Sequence, residues 1–248
     1  MKSTILSVKL VNEELSTLSE SIYDIVILGA GSGGYATALR AAQLGMKVAL
    51  IDGDKVGGTC LHRGCIPTKA YLHAAETAEA VRESAKFGVN STFNGIDMAQ
   101  VGAYRDSVIS GLYKGLQGLL KSRKVELISG WGHLADANTI EVGGQRITGR
   151  NIVLATGSYS RSIPGLDIGG RIISSDQALQ MNWVPSSVVI LGGGVIGLEF
   201  ASVWRSFGAE VTIIEALPHL ANNEDEAISK QLERAYRKRG IKFHTNTR

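Results

Sequence analysis

Six glycines in two sets constrain this chain more than any other feature. Gly29-x-Gly31-x-x-Gly34 follows an apolar run (residues 21–28) and opens an alanine-rich helical stretch (35–44). Gly192-x-Gly194-x-x-Gly197 follows a second apolar run (188–191) and opens residues 198–207. Each set is followed by another apolar run ending in an acid, at Asp52 and Glu215, 18 positions past the last glycine both times. In a strand–turn–helix–strand unit the first glycine makes the tight turn. The second lets the backbone approach a pyrophosphate at the helix N-terminus, and the third lets helix and strand pack closely. The acid accepts from a ribose hydroxyl. Two such units predict an α/β chain with two Rossmann-like dinucleotide-binding domains, parallel strands and right-handed crossovers. An acid at 215 favours NAD over NADP, because it repels a 2′-phosphate.

Between the two units the pattern predicts a helix over residues 67–86 and another over 98–123, the latter weakened by Gly102, Gly111, Gly115 and Gly118. Short strands are expected at 125–130, 139–142, 145–148 and 152–155, with a hairpin turn at Gly143-Gly144. After the second glycine set come a strand at 211–215, a charged helix at 224–239 and a strand at 241–244. The domain division expected from this order is a flexible extension at 1–20 and a first dinucleotide domain at 21–157. A junction follows at 158–185, then the first mononucleotide half of a second domain at 186–248.

Composition narrows the function classes. A net charge of +3 over 248 residues, with no basic block, argues against nucleic acid. No apolar run approaches the roughly 20 residues that span a bilayer, so no membrane role is expected. Residues 1–20 contain Glu13, Glu14 and Glu20 and lack an apolar core with a small-residue cleavage site. Neither a secretory signal nor an organellar transit peptide is expected, and the expected compartment is the reducing cytoplasm.

The two cysteines, Cys60 and Cys65, lie five apart. In a regular helix α-carbons at that spacing are roughly 9 Å apart, whereas a disulfide tolerates about 7 Å at most. A bridge therefore requires an irregular turn, for which Gly64 and Pro67 supply the means. A strained, accessible bridge suits redox chemistry better than stapling. A helix starting near Pro67, together with His62, Arg63 and Lys69, brings positive groups that suit the attacking thiolate. A zinc site is the competing use of the pair, with His62 and His73 completing four ligands. The spacing is not that of a zinc finger, so no metal is expected.

At GGTCLHRGCIPTK (57–69) the sequence resembles the active-site segment of the dihydrolipoamide dehydrogenases. These are flavin-dependent pyridine nucleotide-disulfide oxidoreductases that serve 2-oxoacid dehydrogenase complexes. GAGSGGYATALRAAQLG, LATGS, LGGGVIGLEFASVWRSFG and VTIIE match other motifs of the family in order, over about residue 23 to the end. The resemblance implies oxidation of protein-bound dihydrolipoamide through a Cys60–Cys65 disulfide and FAD to NAD+. It makes Cys60 the thiol that exchanges with the lipoyl disulfide, and Cys65 the thiol beside the flavin. Lys69 is implied near the reactive edge of the flavin, paired with Glu199. Gly29, Gly31, Ser32, Gly33, Gly34 and Asp52 are implied at the FAD pyrophosphate and ribose. Gly58, Thr59, Lys69, Gly132, Ala155, Thr156, Gly157 and Ser158 are implied around the rest of that cofactor. Gly192, Gly194, Val195, Ile196, Gly197 and Glu215 are implied at NAD.

The implied partners are a lipoyl domain and, for the full-length enzyme, a second copy in a homodimer. His62 and Arg63 depart from the Asn-Val commonest at those positions, which flank the working residues. The family continues for about as long again, into a dimerisation domain that supplies a His–Glu acid–base pair. This chain is accordingly expected to supply half a site. Two other readings stand beside this one: a sister reductase acting on glutathione-like disulfides, mercuric ion or quinones, and a non-catalytic FAD-binding fragment.

Overall fold

The structure, a computed structural model, describes residues 22–247; the expected extension at 1–20 lies outside them. The chain divides into two compact units. One comprises the residues up to Leu61 together with Leu112–Tyr159, the other His62–Gly111 together with the residues from Ser160 onward. Two helices, α2 (Gly58–Arg63) and α4 (Met98–Ser122), run across the division.

In the first unit, β1 (Tyr23–Leu28), α1 (Ser32–Gln43) and β2 (Val48–Asp52) form the expected strand–helix–strand unit. The sheet is completed by β3 (Glu126–Ser129), β4 (Gly132–Asp136), β5 (Thr139–Val142) and β6 (Gln145–Leu154), in the order β3-β2-β1-β6-β5-β4. β3, β2, β1 and the second part of β6 are parallel, while β4, β5 and the first part of β6 are antiparallel. β1 and β2 are apolar at every position but Asp24 and Asp52 because both faces are covered. Ile25, Ile27, Val48 and Leu50 face a cluster with Ala38, Ala41 and Leu120. Val26, Ala49 and Ile51 face Ile140 and Val142.

Two expectations change here. The strands at 145–148 and 152–155 are one continuous strand, β6. β4 has no counterpart in the sequence reading; four of its five residues are exposed, so it carries no apolar alternation.

In the second unit, β7 (Ser187–Leu191), α6 (Val195–Phe207), β8 (Glu210–Ile214), α7 (Glu226–Lys238) and β9 (Lys242–His244) give a parallel sheet ordered β7-β8-β9. The order strand–helix–strand–helix–strand is that of one mononucleotide-binding half. The region read as a junction holds a short helix, α5 (Ser175–Ala178). α3 (Cys65–Glu83) also belongs to this unit: its Tyr71 and Ala75 join Ala178, Leu179, Phe200, Trp204, Phe207 and Ile213 in one core. The compact units are thus divided differently from the contiguous ranges read off the sequence. Among the described residues no helix is long and apolar enough to cross a membrane.

Candidate dinucleotide loops and thiol pair

The first glycine loop connects β1 to α1. Gly29 adopts φ 101° and donates its N–H to Ile51 O at 2.7 Å. A Cβ at Gly34 would overlap the carbonyl oxygen of Gly29, so only glycine lets α1 start this close to β1. Gly31 and Gly33 are different. Nothing lies within 3.9 Å of a Cβ built on Gly31 or within 4.0 Å of one on Gly33. α1 starts after Gly31 with no side-chain cap and no acid in its first turn. Bare amides, a positive helix end and two glycines open above it form a cradle for an anion. A dinucleotide pyrophosphate fits these residues, and the side chain of Ser32 is exposed beside them.

Asp52 closes this loop from below. Its Oδ2 accepts Ala30 N–H at 2.5 Å and its Oδ1 accepts Asp54 N–H at 2.8 Å. Each carboxylate oxygen has a second lone pair, so both retain capacity to accept from a ligand hydroxyl. α2 begins against the same loop: Gly57 donates its N–H to Ala30 O at 2.8 Å. A Cβ at Gly58, which has φ 57°, would lie 2.6 Å from Gly31 Cα. Thr59 and Cys60 follow on α2, exposed and half-buried respectively. On another side, Ala155 donates to Leu28 O at 2.8 Å, and Thr156 Cα lies 3.2 Å from the position of a Gly29 Cβ. Thr156, Gly157 and Ser158 are exposed beyond it. Gly132, on β4, sits over Leu28, Ile51 and Ile140.

The second loop repeats the first. Gly192 has φ 104° and donates to Ile214 O at 2.8 Å. Glu215 Oε2 accepts Gly193 N–H at 2.5 Å, and Oε1 accepts Leu217 N–H at 2.8 Å. Gly194 caps α6 at φ −78°, ψ 178°, against φ −68°, ψ −172° for Gly31 at α1. A Cβ at Gly197 would overlap Gly192 O, while Gly194 is open to 4 Å. Val195 and Ile196 are exposed at the start of α6, which has no acid in its first turn. The sequence reading missed what lies under this loop. Leu220 is fully buried against Gly193, and Ala221 donates its N–H to Gly193 O at 2.8 Å. His219 holds that segment through Nδ1, 3.2 Å from Oε1 of the buried Glu233. A segment without periodicity gave no signal of it.

The helix break that a Cys60–Cys65 bridge requires is present. α2 ends at Arg63, Gly64 takes the non-helical pair φ −137°, ψ −111°, and α3 begins at Cys65, two residues before the expected start. Cys65 is exposed at the first position of α3, a helix start without side-chain cap or acidic first turn. One turn on, Lys69 Nζ donates to Glu199 Oε1 of α6, the partner expected for it. Among the described residues no group of His, Cys, Asp and Glu is gathered as for a metal ion.

Comparison with known proteins follows the same features. The family model described as pyridine nucleotide-disulphide oxidoreductase matches residues 23–248. A dihydrolipoyl dehydrogenase of Bacillus subtilis is 40% identical over 240 residues, covering 91% of this chain and 51% of that protein. Among solved structures, LpdA from Mycobacterium tuberculosis superposes with a TM-score of 0.80 at 27% identity, covering 90% of this chain and 51% of that one. RclA from Escherichia coli, an HOCl-induced flavoprotein disulfide reductase, superposes with a TM-score of 0.73 at 29% identity, covering 91% of this chain and 49% of that one. The chain spans about half the length of the relatives it matches. Two matched glycine loops, a cysteine pair across a helix break and this likeness agree: the chain belongs to the pyridine nucleotide-disulphide oxidoreductase family.

Proposed function

We propose that the chain carries the FAD loop, the redox thiols and the first half of the NAD site of a dihydrolipoyl dehydrogenase. The parent reaction is dihydrolipoyl protein plus NAD+ to lipoyl protein, NADH and a proton. The observation that carries this is the seating of α2 on the first glycine loop, which fixes Cys60 two residues from Gly58 and its contact with Gly31. The 40% identity to a dihydrolipoyl dehydrogenase supports the choice within the family.

The roles follow from the residues. The amides at the start of α1 hold the FAD pyrophosphate and Asp52 holds its ribose, while Thr59, Gly132 and the 155–158 segment line the remainder. The second loop holds NAD, and the Glu215 carboxylate repels the 2′-phosphate of NADP. When bound, FAD accepts two electrons from the dithiol and delivers them to NAD+ as hydride. In the oxidised chain, a thiolate of dihydrolipoamide attacks Cys60 Sγ of the Cys60–Cys65 disulfide and releases Cys65 as thiolate. The second substrate thiol then displaces Cys60, closing the lipoyl disulfide and leaving two thiols on the chain. Glu199 orients the Lys69 ammonium on α3, one turn beyond Cys65. The partner is a lipoyl domain, and the full-length enzyme works as a dimer in the reducing cytoplasm.

The test reads an end point, because the chain spans half of its relatives. The chain is loaded with FAD, freed of unbound flavin and mixed anaerobically with excess dihydrolipoamide. Bleaching of the flavin absorbance in the wild type, absent in Cys60→Ser, is the expected result. Equal bleaching in both would remove Cys60 from the reaction, and no bleaching in either would end the assignment.

A further inference from the structure

We propose that Glu233 is a positioning residue of the second dinucleotide loop: it holds the segment that fixes the Gly193 carbonyl and so aims the Gly194 amide at a pyrophosphate. This deepens the NAD assignment above and rests on it. The two loops share a feature outside their glycines. In each, the residue between the first two glycines is gripped on both sides. Ala30 donates its N–H to Asp52 Oδ2 at 2.5 Å, and its carbonyl accepts Gly57 N–H at 2.8 Å. Gly193 donates its N–H to Glu215 Oε2 at 2.5 Å, and its carbonyl accepts Ala221 N–H at 2.8 Å. A trans peptide is planar, with carbonyl and N–H on opposite sides. Holding the Gly193 carbonyl on Ala221 therefore turns the Gly194 N–H away from Ala221, at the residue that caps α6 and is open to 4 Å.

The two grips are built differently. Gly57 has φ 107°, which a glycine adopts freely. Ala221 has φ 49°, a left-handed conformation that disfavours an L side chain and persists only where its surroundings impose it. α7 imposes it through two side chains one turn apart. The fully buried Ser229 donates its hydroxyl to Ala221 O at 3.1 Å. The buried Glu233 accepts Leu220 N–H on Oε1 at 3.3 Å, and His219 Nδ1 lies 3.2 Å from the same oxygen. A buried carboxylate is costly unless its lone pairs are used. Here the groups that use Oε1 are the two residues leading into Ala221. Leu220, seated in this way, packs against Gly193 from below. Glu233 thus acts on the ligand through the loop, without touching it.

The test measures NAD+ and FAD affinity by calorimetry in Glu233→Leu, Glu233→Gln and the double variant Glu233→Leu/Ala221→Gly of the 248-residue chain. Thermal unfolding of each ligand-free protein checks folding. Leucine fills the site without accepting a hydrogen bond, glutamine keeps the acceptor, and glycine at 221 takes the left-handed conformation without support. NAD+ affinity is expected to fall about tenfold or more in Glu233→Leu and to stay within about threefold of wild type in the other two. FAD affinity is expected to stay within about twofold throughout. If Glu233→Leu does not fold, His219→Ala takes its place, with NAD+ affinity expected to fall about threefold or more and FAD affinity to hold. Unchanged NAD+ affinity in the folded variant, no recovery by glycine, or equal loss of FAD and NAD+ binding overturns the positioning role alone. A wild-type chain that does not bind NAD+ overturns the NAD assignment and the positioning role with it.

Discussion

Gly34 and Gly31 are three residues apart and separate the two uses of glycine in one motif. A Cβ at Gly34 would overlap the Gly29 carbonyl, and a Cβ at Gly31 would have Gly58 Cα as its nearest neighbour, at an ordinary 3.9 Å. Gly34→Ala is expected to lower the stability of the FAD-free chain by about 3 kcal/mol or more, read by urea denaturation. Gly31→Ala is expected to change that stability by less than about 1 kcal/mol, the effect of altering a helix N-cap. It should still weaken FAD binding about tenfold or more, because the methyl group enters the cradle. Comparable FAD affinity in Gly31→Ala and wild type would show that the loop holds no ligand there. Lys69 gives a second contrast. Its side chain is 59% exposed, so its ion pair with Glu199 adds at most about 1 kcal/mol to stability, and Lys69→Met should unfold within a few degrees of wild type. Glycine spacing and the terminal acids were legible because the chemistry fixes both. The contact of Trp131 with Gly53 was not, because no local pattern encodes it.

β6 shows why an element can be misread while its residues are read correctly. Glycine at 149 looks like the end of one strand and the approach to another. In the fold it lies where β6 leaves β5 for β1, and a Cβ there would come 2.7 Å from Val26 Cγ2. Glycine marks a close crossing rather than a turn. α4 reverses the lesson. Gly115 and Gly118 weaken its helical signal, yet the helix runs through them with open space at both positions. Replacing either with alanine is expected to raise stability by about 0.5–1 kcal/mol, since nothing uses the missing Cβ. A loss of stability in thermal unfolding would show instead that these positions are covered. In the second unit, burial raises the Tyr71 and Tyr236 hydroxyls above their ordinary 10.0, with Arg105 partly opposing it at Tyr71. Both hydroxyls donate to buried carbonyls, Leu179 O and Leu198 O. Their contribution is complete below about pH 10 and is lost as pH rises through the higher folded values. Urea midpoints should therefore fall more steeply above about pH 10 in the wild type than in Tyr71→Phe/Tyr236→Phe.

At the scale of the whole molecule, the order of motifs was legible and the grouping of helices was not. Residues 62–111 follow the first glycine loop in sequence, but their apolar faces join the core built around α6 and β8. Tyr71 and Arg105 are tied to Leu179 there, a partner more than 70 positions away, and periodicity within a helix says nothing about which neighbour buries it. What unites the two units functionally is the proposed flow of electrons from the thiol pair through FAD toward NAD. Anaerobic reductive titration of the FAD-loaded chain tests it most directly. Four electrons taken up per bound flavin, falling to two in Cys65→Ser, is the expected result: two for the flavin and two for a Cys60–Cys65 disulfide. Uptake of only two electrons by the wild type, with its flavin bound, would contradict it.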